Sequence, residues 1–280
     1  MNPPNSISKK GSVYSLIRQY SKSGILLSKI NILNLLTETC SFYELDIALR
    51  ELQKDNLLSC HDAELYFATE SKDNFQKGDF LLSHAKIDKV KAPLDLLARI
   101  GTIKFIGITG SSTFDMVGEK DDLDIFVIAQ KNMLFITRLA IFVVTFIFGN
   151  FKTSRSKKTK DTVCANVILE EGNLIVPYPK RNLFSARELV LIKPFYDKEN
   201  MLDKLKNANI DWFHALLPNQ DHKLRTFSSQ AKKGKEAEVL QKINNVLAFL
   251  QLWYMKSKVT NELISQKQLW LHPNTRRKLH

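Results

Sequence analysis

Cysteine is scarce in this chain: three residues, Cys40, Cys60 and Cys164, stand among 280, and no two form a C-x-x-C pair. That argues against a disulfide scaffold or a zinc site and fits a reducing compartment. The adjacent Cys60-His61 could begin a metal site, but no second Cys/His pair completes it. Carboxylates are also in deficit, 29 Asp+Glu against 41 Lys+Arg, which leaves a formal net charge of +12. A long hydrophobic run is missing too. The most lipid-like stretch, Leu139 to Gly149, is about half the length that spans a bilayer, and extended back to Met133 it takes in Arg138. A helix buried in a domain core is therefore expected there, and membrane association is not. The first residues carry no continuous apolar segment of secretory type, so a cytoplasmic location is the expectation. No internal repeat is apparent.

What is present reads as globular: 44% hydrophobic and 25% charged residues, in a chain long enough for one or two domains. The positive excess is concentrated. Lys152, Arg155, Lys157, Lys158 and Lys160 come with no acid among them, as do Lys223, Arg225, Lys232, Lys233 and Lys235. Such runs suit a polyanion, because each neutralised phosphate releases counterions. A solvated loop is the other reading.

Along the chain, residues 1–12 are polar and are expected to be disordered. Ile25 to Leu36 has a helical apolar face, and in the next segment Leu45, Leu49 and Leu52 recur at helical spacing. "AELYFATE" alternates, with Leu65 and Phe67 on one face, and reads as a strand. Helix, helix and hairpin-like strand over residues 13–70 resemble a winged-helix domain. Only one convincing helix and a short turn fit between Leu36 and Leu57. The candidate recognition helix is mixed in charge, with Glu44, Asp46, Arg50, Glu51 and Lys54. A docking or dimerising role stands beside DNA binding. The polar "TESKDNFQKGD" marks a boundary. Beyond it come a helix "FLLSHAKIDKVK", a second helix started by Pro93, and a strand "IKFIGIT". A Gly-Ser-Ser turn, a strand "DLDIFVIA", the apolar helix, a basic loop, a strand "TVCANVILEE" and several helices follow.

The strand "DLDIFVIA" opens with two acids. Residues i and i+2 of a strand share a face, so Asp122 and Asp124 stand side by side while Leu123 and Ile125 point into the core. Two close carboxylates raise each other's pKa unless a cation sits between them. Mg²⁺ meets that need with one or two carboxylates plus substrate phosphates. Upstream, Gly110-Ser111-Ser112 permits a tight turn that offers N–H groups and hydroxyls to a phosphate.

Gly110-Ser111, ten intervening residues, then Asp122-Leu123-Asp124-Ile125 resembles the signature of the DNA polymerase β-like nucleotidyltransferase superfamily. "RNLFSARELVLIKPFY" and "ANIDWFHALLPN" also look like segments of small prokaryotic stand-alone members. The resemblance covers residues 92–220. It implies an α+β fold: a nucleotidyltransferase mixed-sheet core over 80–185, after the winged-helix-like domain over 13–70 and before a helical region over 186–280. It further implies two-metal phosphoryl transfer with Mg²⁺ or Mn²⁺. Asp122 and Asp124 would be catalytic and bridge the metals, and Gly110, Ser111 and Ser112 would bind the nucleoside triphosphate. Lys193 is a candidate phosphate contact. The family's third carboxylate falls on the strand where this chain has Asn166, which is taken as a metal ligand without charge. Glu170 has the same strand parity but lies roughly 13 Å further along.

The resulting expectation is transfer of a nucleoside monophosphate from an NTP or dNTP to a hydroxyl, with release of pyrophosphate. The basic runs make a nucleic acid the first acceptor to consider, a protein side chain the second and a small molecule the third. Two rivals stand beside it. One is a nucleic-acid-binding regulator that senses nucleotide with an inactive fold. The other is a subunit that docks to a membrane partner through residues 134–149.

Overall fold

The computed structural model describes residues 6–62, 64–74, 79–114, 122–151, 162–220, 235–256 and 262–271. Its first unit runs α1 (Ser6–Ser21), β1 (Leu27–Ser28), α2 (Lys29–Leu35), α3 (Phe42–Lys54), β2 (Leu58–His61) and β3 (Leu65–Ala68). The three strands form one antiparallel sheet in the order β1-β3-β2. Local chemistry sets the helix starts. The Ser28 hydroxyl accepts from the Asn31 amide at α2, and Ser41 with Glu44 forms a reciprocal capping box at α3. Leu45, Ala48, Leu49 and Leu52 then bury one face of α3 against Val13, Leu16 and Ile17 of α1.

Two expectations change here. Residues 6–12 are helical, not disordered, because Lys9 reaches Glu44 and Lys10 reaches Asp55 at 2.6 Å, pinning α1 to α3. Residues 1–5 lie outside the described residues. The single helix expected over Ile25 to Leu36 is instead strand β1 followed by α2. Leu27 pairs with Tyr66, so sheet pairing overrides the helical pattern of the first residues.

The second unit contains α4 (Asp79–Ala98), β4 (Ile103–Thr109), β5 (Leu123–Ala129), α5 (Leu134–Ile147), β6 (Val163–Glu170), α6 (Leu183–Leu191) and β7 (Lys193–Asp197). It continues through α7 (Met201–Asn207), α8 (Ile210–Leu216), α9 (Lys235–Lys256), β8 (Leu263–Ile264) and β9 (Gln268–Trp270). Its six strands form a mixed sheet in the order β7-β4-β5-β6-β9-β8. Only β5 and β6 pair in parallel, joined across α5. The class is α+β. Both faces of the sheet are covered. Leu123, Ile125 and Val127 pack under α4, α5 and α9; Phe126 and Ile128 pack under α6, α7 and α8.

Pro93 does not start a helix but sits inside the continuous α4, where the buried Val90, Leu94 and Leu97 hold the chain on the sheet. Residues 186–280, expected to be helical, contribute β7, β8 and β9 to the same sheet. In α5, Leu134, Phe135, Ile141 and Val144 are buried, whereas Phe146 and Ile147 are 65% and 70% exposed. No helix among the described residues is long and apolar enough to cross a membrane.

Candidate functional site

Strands β4 and β5 pair so that Thr109 faces Asp124, and β5 pairs with β6 so that Asp124 faces Cys164. Thr109, Asp124 and Cys164 therefore form one row across the sheet. Asp122 precedes β5 and Asp124 lies within it, so both fall on the side of Phe126 and Ile128, which α6 covers. A ligand atom from each of Asp122, Asp124 and Cys164 lies within 4.8 Å of the others.

Gly110 ends β4 in the left-handed region at φ +69° and opens a 3-10 turn, Gly110–Phe114. A Cβ on Gly110 would come within 2.5 Å of an Asp124 carboxylate oxygen. Glycine is therefore required twice, for the backbone sign and for the space that the carboxylate occupies. The Thr113 hydroxyl closes the turn by donating to the Gly110 carbonyl at 2.7 Å. Ser111 is partly exposed, but Ser112 is 1% exposed and its buried hydroxyl has no hydrogen-bond partner among the described residues. An orphaned buried hydroxyl marks a local demand that the protein leaves unmet.

A bulge interrupts the β5–β6 pairing. Ile125 pairs with Ala165 and Phe126 with Val167, so Asn166 is the extra residue. Asn166 keeps the parity of Cys164 and stands on the side of Asp124, where its Nδ2 donates to Asp124 Oδ1 at 2.5 Å, while the bulge shifts the residues that follow by one. Its Oδ1 accepts from the Cys164 thiol at 3.1 Å. Asn166 is thus placed as a hydrogen-bond donor to the carboxylate, and its carbonyl oxygen is turned to the thiol. Glu170 is at the far end of the strand, paired with Ala129 and 3% exposed. It accepts from the Asn132 and Leu134 amides at the start of α5, and burial nonetheless pushes its pKa up. The bulge and this capping duty together remove Glu170 from the site.

One further acid, Glu188 on α6, feels the charge of the site without joining its cluster of ligand atoms. Burial first, and then the charge of Asp124, pushes its pKa up to about 8. Its neighbour Arg187 donates to Gln19 Oε1 at 3.1 Å and to the Leu35 carbonyl at 3.3 Å, and lies 5.8 Å from the centre of the Tyr20 ring. Burial lowers the Arg187 pKa. Tyr20 also packs on Phe114 with ring centroids 5.3 Å apart, so α1 reaches the end of the Gly110 turn.

Of the residues expected from sequence, Gly110, Asp122, Asp124 and Asn166 converge. Ser111 and Ser112 share the turn, with Ser112 facing inward. Lys193 pairs with Ile108 at the same end of the sheet. Cys164 and Glu188 were not anticipated. The strand parity of Cys164 with Asn166 was a usable signal; for Glu188 the sequence held none beyond its helical segment. Residues 152–160 and 221–234, which carry most of the basic runs, lie outside the described residues, and Lys235 opens α9. No family model matches the chain, no curated protein matches it, and no solved structure matches it.

Proposed function

We propose that the chain is a metal-dependent nucleotidyltransferase that moves a nucleoside monophosphate from an NTP or dNTP to a hydroxyl, most readily one on a nucleic acid. The observation that carries the reading is the Gly110 turn closing on Asp124, with Asp122 beside it at the mouth of two adjacent strands. The donor set fits a hard divalent cation. Two carboxylates converge on space that a side chain at 110 would fill, and the Cys164 thiol is engaged as a hydrogen-bond donor. Mg²⁺ or Mn²⁺ bound there would neutralise triphosphate charge and polarise the acceptor hydroxyl.

Asp122 and Asp124 would hold the cation, and the backbone of the Gly110 turn with the Ser111 hydroxyl would orient the triphosphate. The acceptor hydroxyl would give up its proton to solvent as its oxygen bonds to the α-phosphorus, the bond from that phosphorus to the β-bridging oxygen would break, and pyrophosphate would depart. In this reading residues 6–74, with their α1-β1-α2-α3-β2-β3 order, are a winged-helix unit. Acids of α3 are held by Lys9, Lys10 and Lys29, which favours docking over groove reading.

The Asn166 to Asp124 hydrogen bond favours a second reading, a regulator that binds nucleotide without turnover. A labelled-nucleotide assay separates the two. Each NTP and dNTP is offered with Mg²⁺ or Mn²⁺, with and without total RNA, to wild type and to Asp122→Ala/Asp124→Ala. Label transferred by wild type and lost in the double variant is the expected result. Tight binding with no pyrophosphate released selects the regulator.

A further inference from the structure

We propose that the cavity between α1 and α6 binds a small organic phosphate, and that Arg187 is the group that holds the phosphate. This site is independent of the nucleotidyltransferase reading: none of the residues that line it belongs to the Gly110 turn or to the Asp122/Asp124 pair. A charge, a space and a glycine point to it.

The charge is unanswered. A guanidinium has five N–H bonds to place and cannot shed its proton to escape burial. Arg187 gives one to Gln19 Oε1 and one to the Leu35 carbonyl, both neutral acceptors. Its Nε is buried and has no hydrogen-bond partner among the described residues. The Tyr20 phenol acts on its charge, but no carboxylate among the described residues pairs with it. The other cations of this region are answered: Lys9 meets Glu44, Lys10 meets Asp55, Arg18 meets Glu70 and Lys29 meets Asp46. A buried cation left without an opposite charge is a cost that an anionic ligand removes.

The space is a cavity of about 420 Å³, open on one side, with Arg187 in its wall and no acid among its lining residues. It has the size of a small-molecule site and is larger than a bare oxyanion needs. The guanidinium fork matches two oxygens of a phosphate. The hydroxyls of Ser12, Ser15 and Thr37 supply further donors, and Leu16, Leu36 and Leu183 give an apolar wall for the organic part. Leu183 also opens α6, which brings the positive end of that helix to the same cavity.

The glycine is Gly11, inside α1 and in the cavity wall. Its φ is not in the left-handed region, and a Cβ there would meet nothing within 4 Å. Neither backbone nor packing asks for glycine, a poor helix former. What the missing side chain does is keep the cavity open. A ligand seated there would bridge α1 of the first unit to α6 of the second.

Isothermal titration calorimetry on the full chain in EDTA, which removes metal-borne triphosphate binding, tests the site with inorganic phosphate, ribose 5-phosphate, AMP and succinate. The proteins are wild type, Gly11→Leu, Arg187→Lys and Asp122→Ala/Asp124→Ala, with folding checked by circular dichroism. Ribose 5-phosphate or AMP should bind wild type more tightly than inorganic phosphate or succinate, and the tighter of the two names the organic part. Gly11→Leu fills the cavity without touching Arg187, and Arg187→Lys keeps the charge but loses the fork. Each should weaken binding about tenfold or more, whereas the double aspartate variant should bind as wild type does. If Arg187→Lys does not fold, Gly11→Leu decides alone. No binding by wild type at millimolar ligand, succinate bound as tightly as the phosphates, or wild-type affinity in Gly11→Leu overturns the proposal. Binding lost in the double aspartate variant moves the ligand to the Gly110 turn, which overturns the proposal and leaves the nucleotidyltransferase reading standing.

Discussion

A single methyl group tests the site at Gly110. Alanine there meets the Asp124 carboxylate at 2.5 Å and holds φ at +69°, costs that together come to about 1–3 kcal/mol. Gly110→Ala should lower the thermal midpoint and abolish Mn²⁺ binding, because the colliding atom is the proposed ligand. Gly107 is the useful contrast. Its Cβ would meet Ile192 Cγ2 at 2.5 Å and the Phe105 ring at 2.7 Å, apolar atoms only. Gly107→Ala should destabilise by a similar ~1–3 kcal/mol while the folded fraction still binds Mn²⁺. Calorimetry paired with an Mn²⁺ titration, followed by loss of the free-ion electron paramagnetic resonance signal, distinguishes the two. The Gly-Ser turn and the Asp122/Asp124 pair were legible because both are local, a turn residue and a two-residue period. The electrostatic reach of Asp124 to Glu188 was not: it comes from the packing of α6 on a sheet face that includes β5, more than fifty residues earlier.

At the scale of elements, α5 begins without a cap of its own: Met133 makes no side-chain capping bond. The need is met from elsewhere. Asn244 of α9 accepts from the Phe135 and Ile136 amides at 2.9 and 3.1 Å, and Glu170 of β6 accepts from Leu134. Asn244→Ala strands a buried and a part-buried N–H group and should cost about 1–3 kcal/mol, read as a shift in the urea midpoint. Asn244→Asp keeps the acceptor at the positive end of α5 and should cost less. Capping within the first unit is local and pH-sensitive instead. Lys9 foremost, then the Ser41 amide and hydroxyl, pull Glu44 down from 4.5 to about 2. A lowered folded pKa favours the folded state above the unfolded value. That stabilisation is therefore complete above about pH 4.5 and lost as pH falls towards about 2. Glu44→Gln should flatten this part of the acid limb in a urea midpoint series from pH 6 to pH 2. The capping box was readable as Ser41 with Glu44 three residues on, whereas the α9-to-α5 cap joins residues 109 apart and left no trace in the sequence. The strands β4, β5 and β6 were legible from apolar runs between breakers. Strand β1 was not, because two residues carry no period of their own.

Across the whole molecule the two units are tied by chain that follows α8. Asn219 accepts from the Cys40 amide at 2.8 Å and donates to the carbonyls of Leu33 and Glu38 at 3.0 and 2.8 Å. Gln220 donates to the Asn34 carbonyl at 2.9 Å. These bonds bracket the turn between α2 and α3, while Arg187 and the Tyr20–Phe114 contact hold the other side of the seam. The seam that couples the units thus meets the end of the Gly110 turn at the Tyr20–Phe114 contact, so loosening it should reach both stability and the metal site. The three tryptophans, Trp212, Trp253 and Trp270, are all in the second unit, so their fluorescence follows that unit alone, whereas far-ultraviolet circular dichroism follows both. In wild type the two signals should trace one urea transition, as expected where units unfold together. Asn219→Ala removes three hydrogen bonds, worth about 1.5–4.5 kcal/mol in sum, and with them much of the coupling. Its circular dichroism should begin to fall at lower urea than its fluorescence, and Mn²⁺ affinity should fall where the first unit has unfolded but the second has not. Superimposed transitions in Asn219→Ala would place the coupling at Arg187 and the Tyr20–Phe114 contact instead.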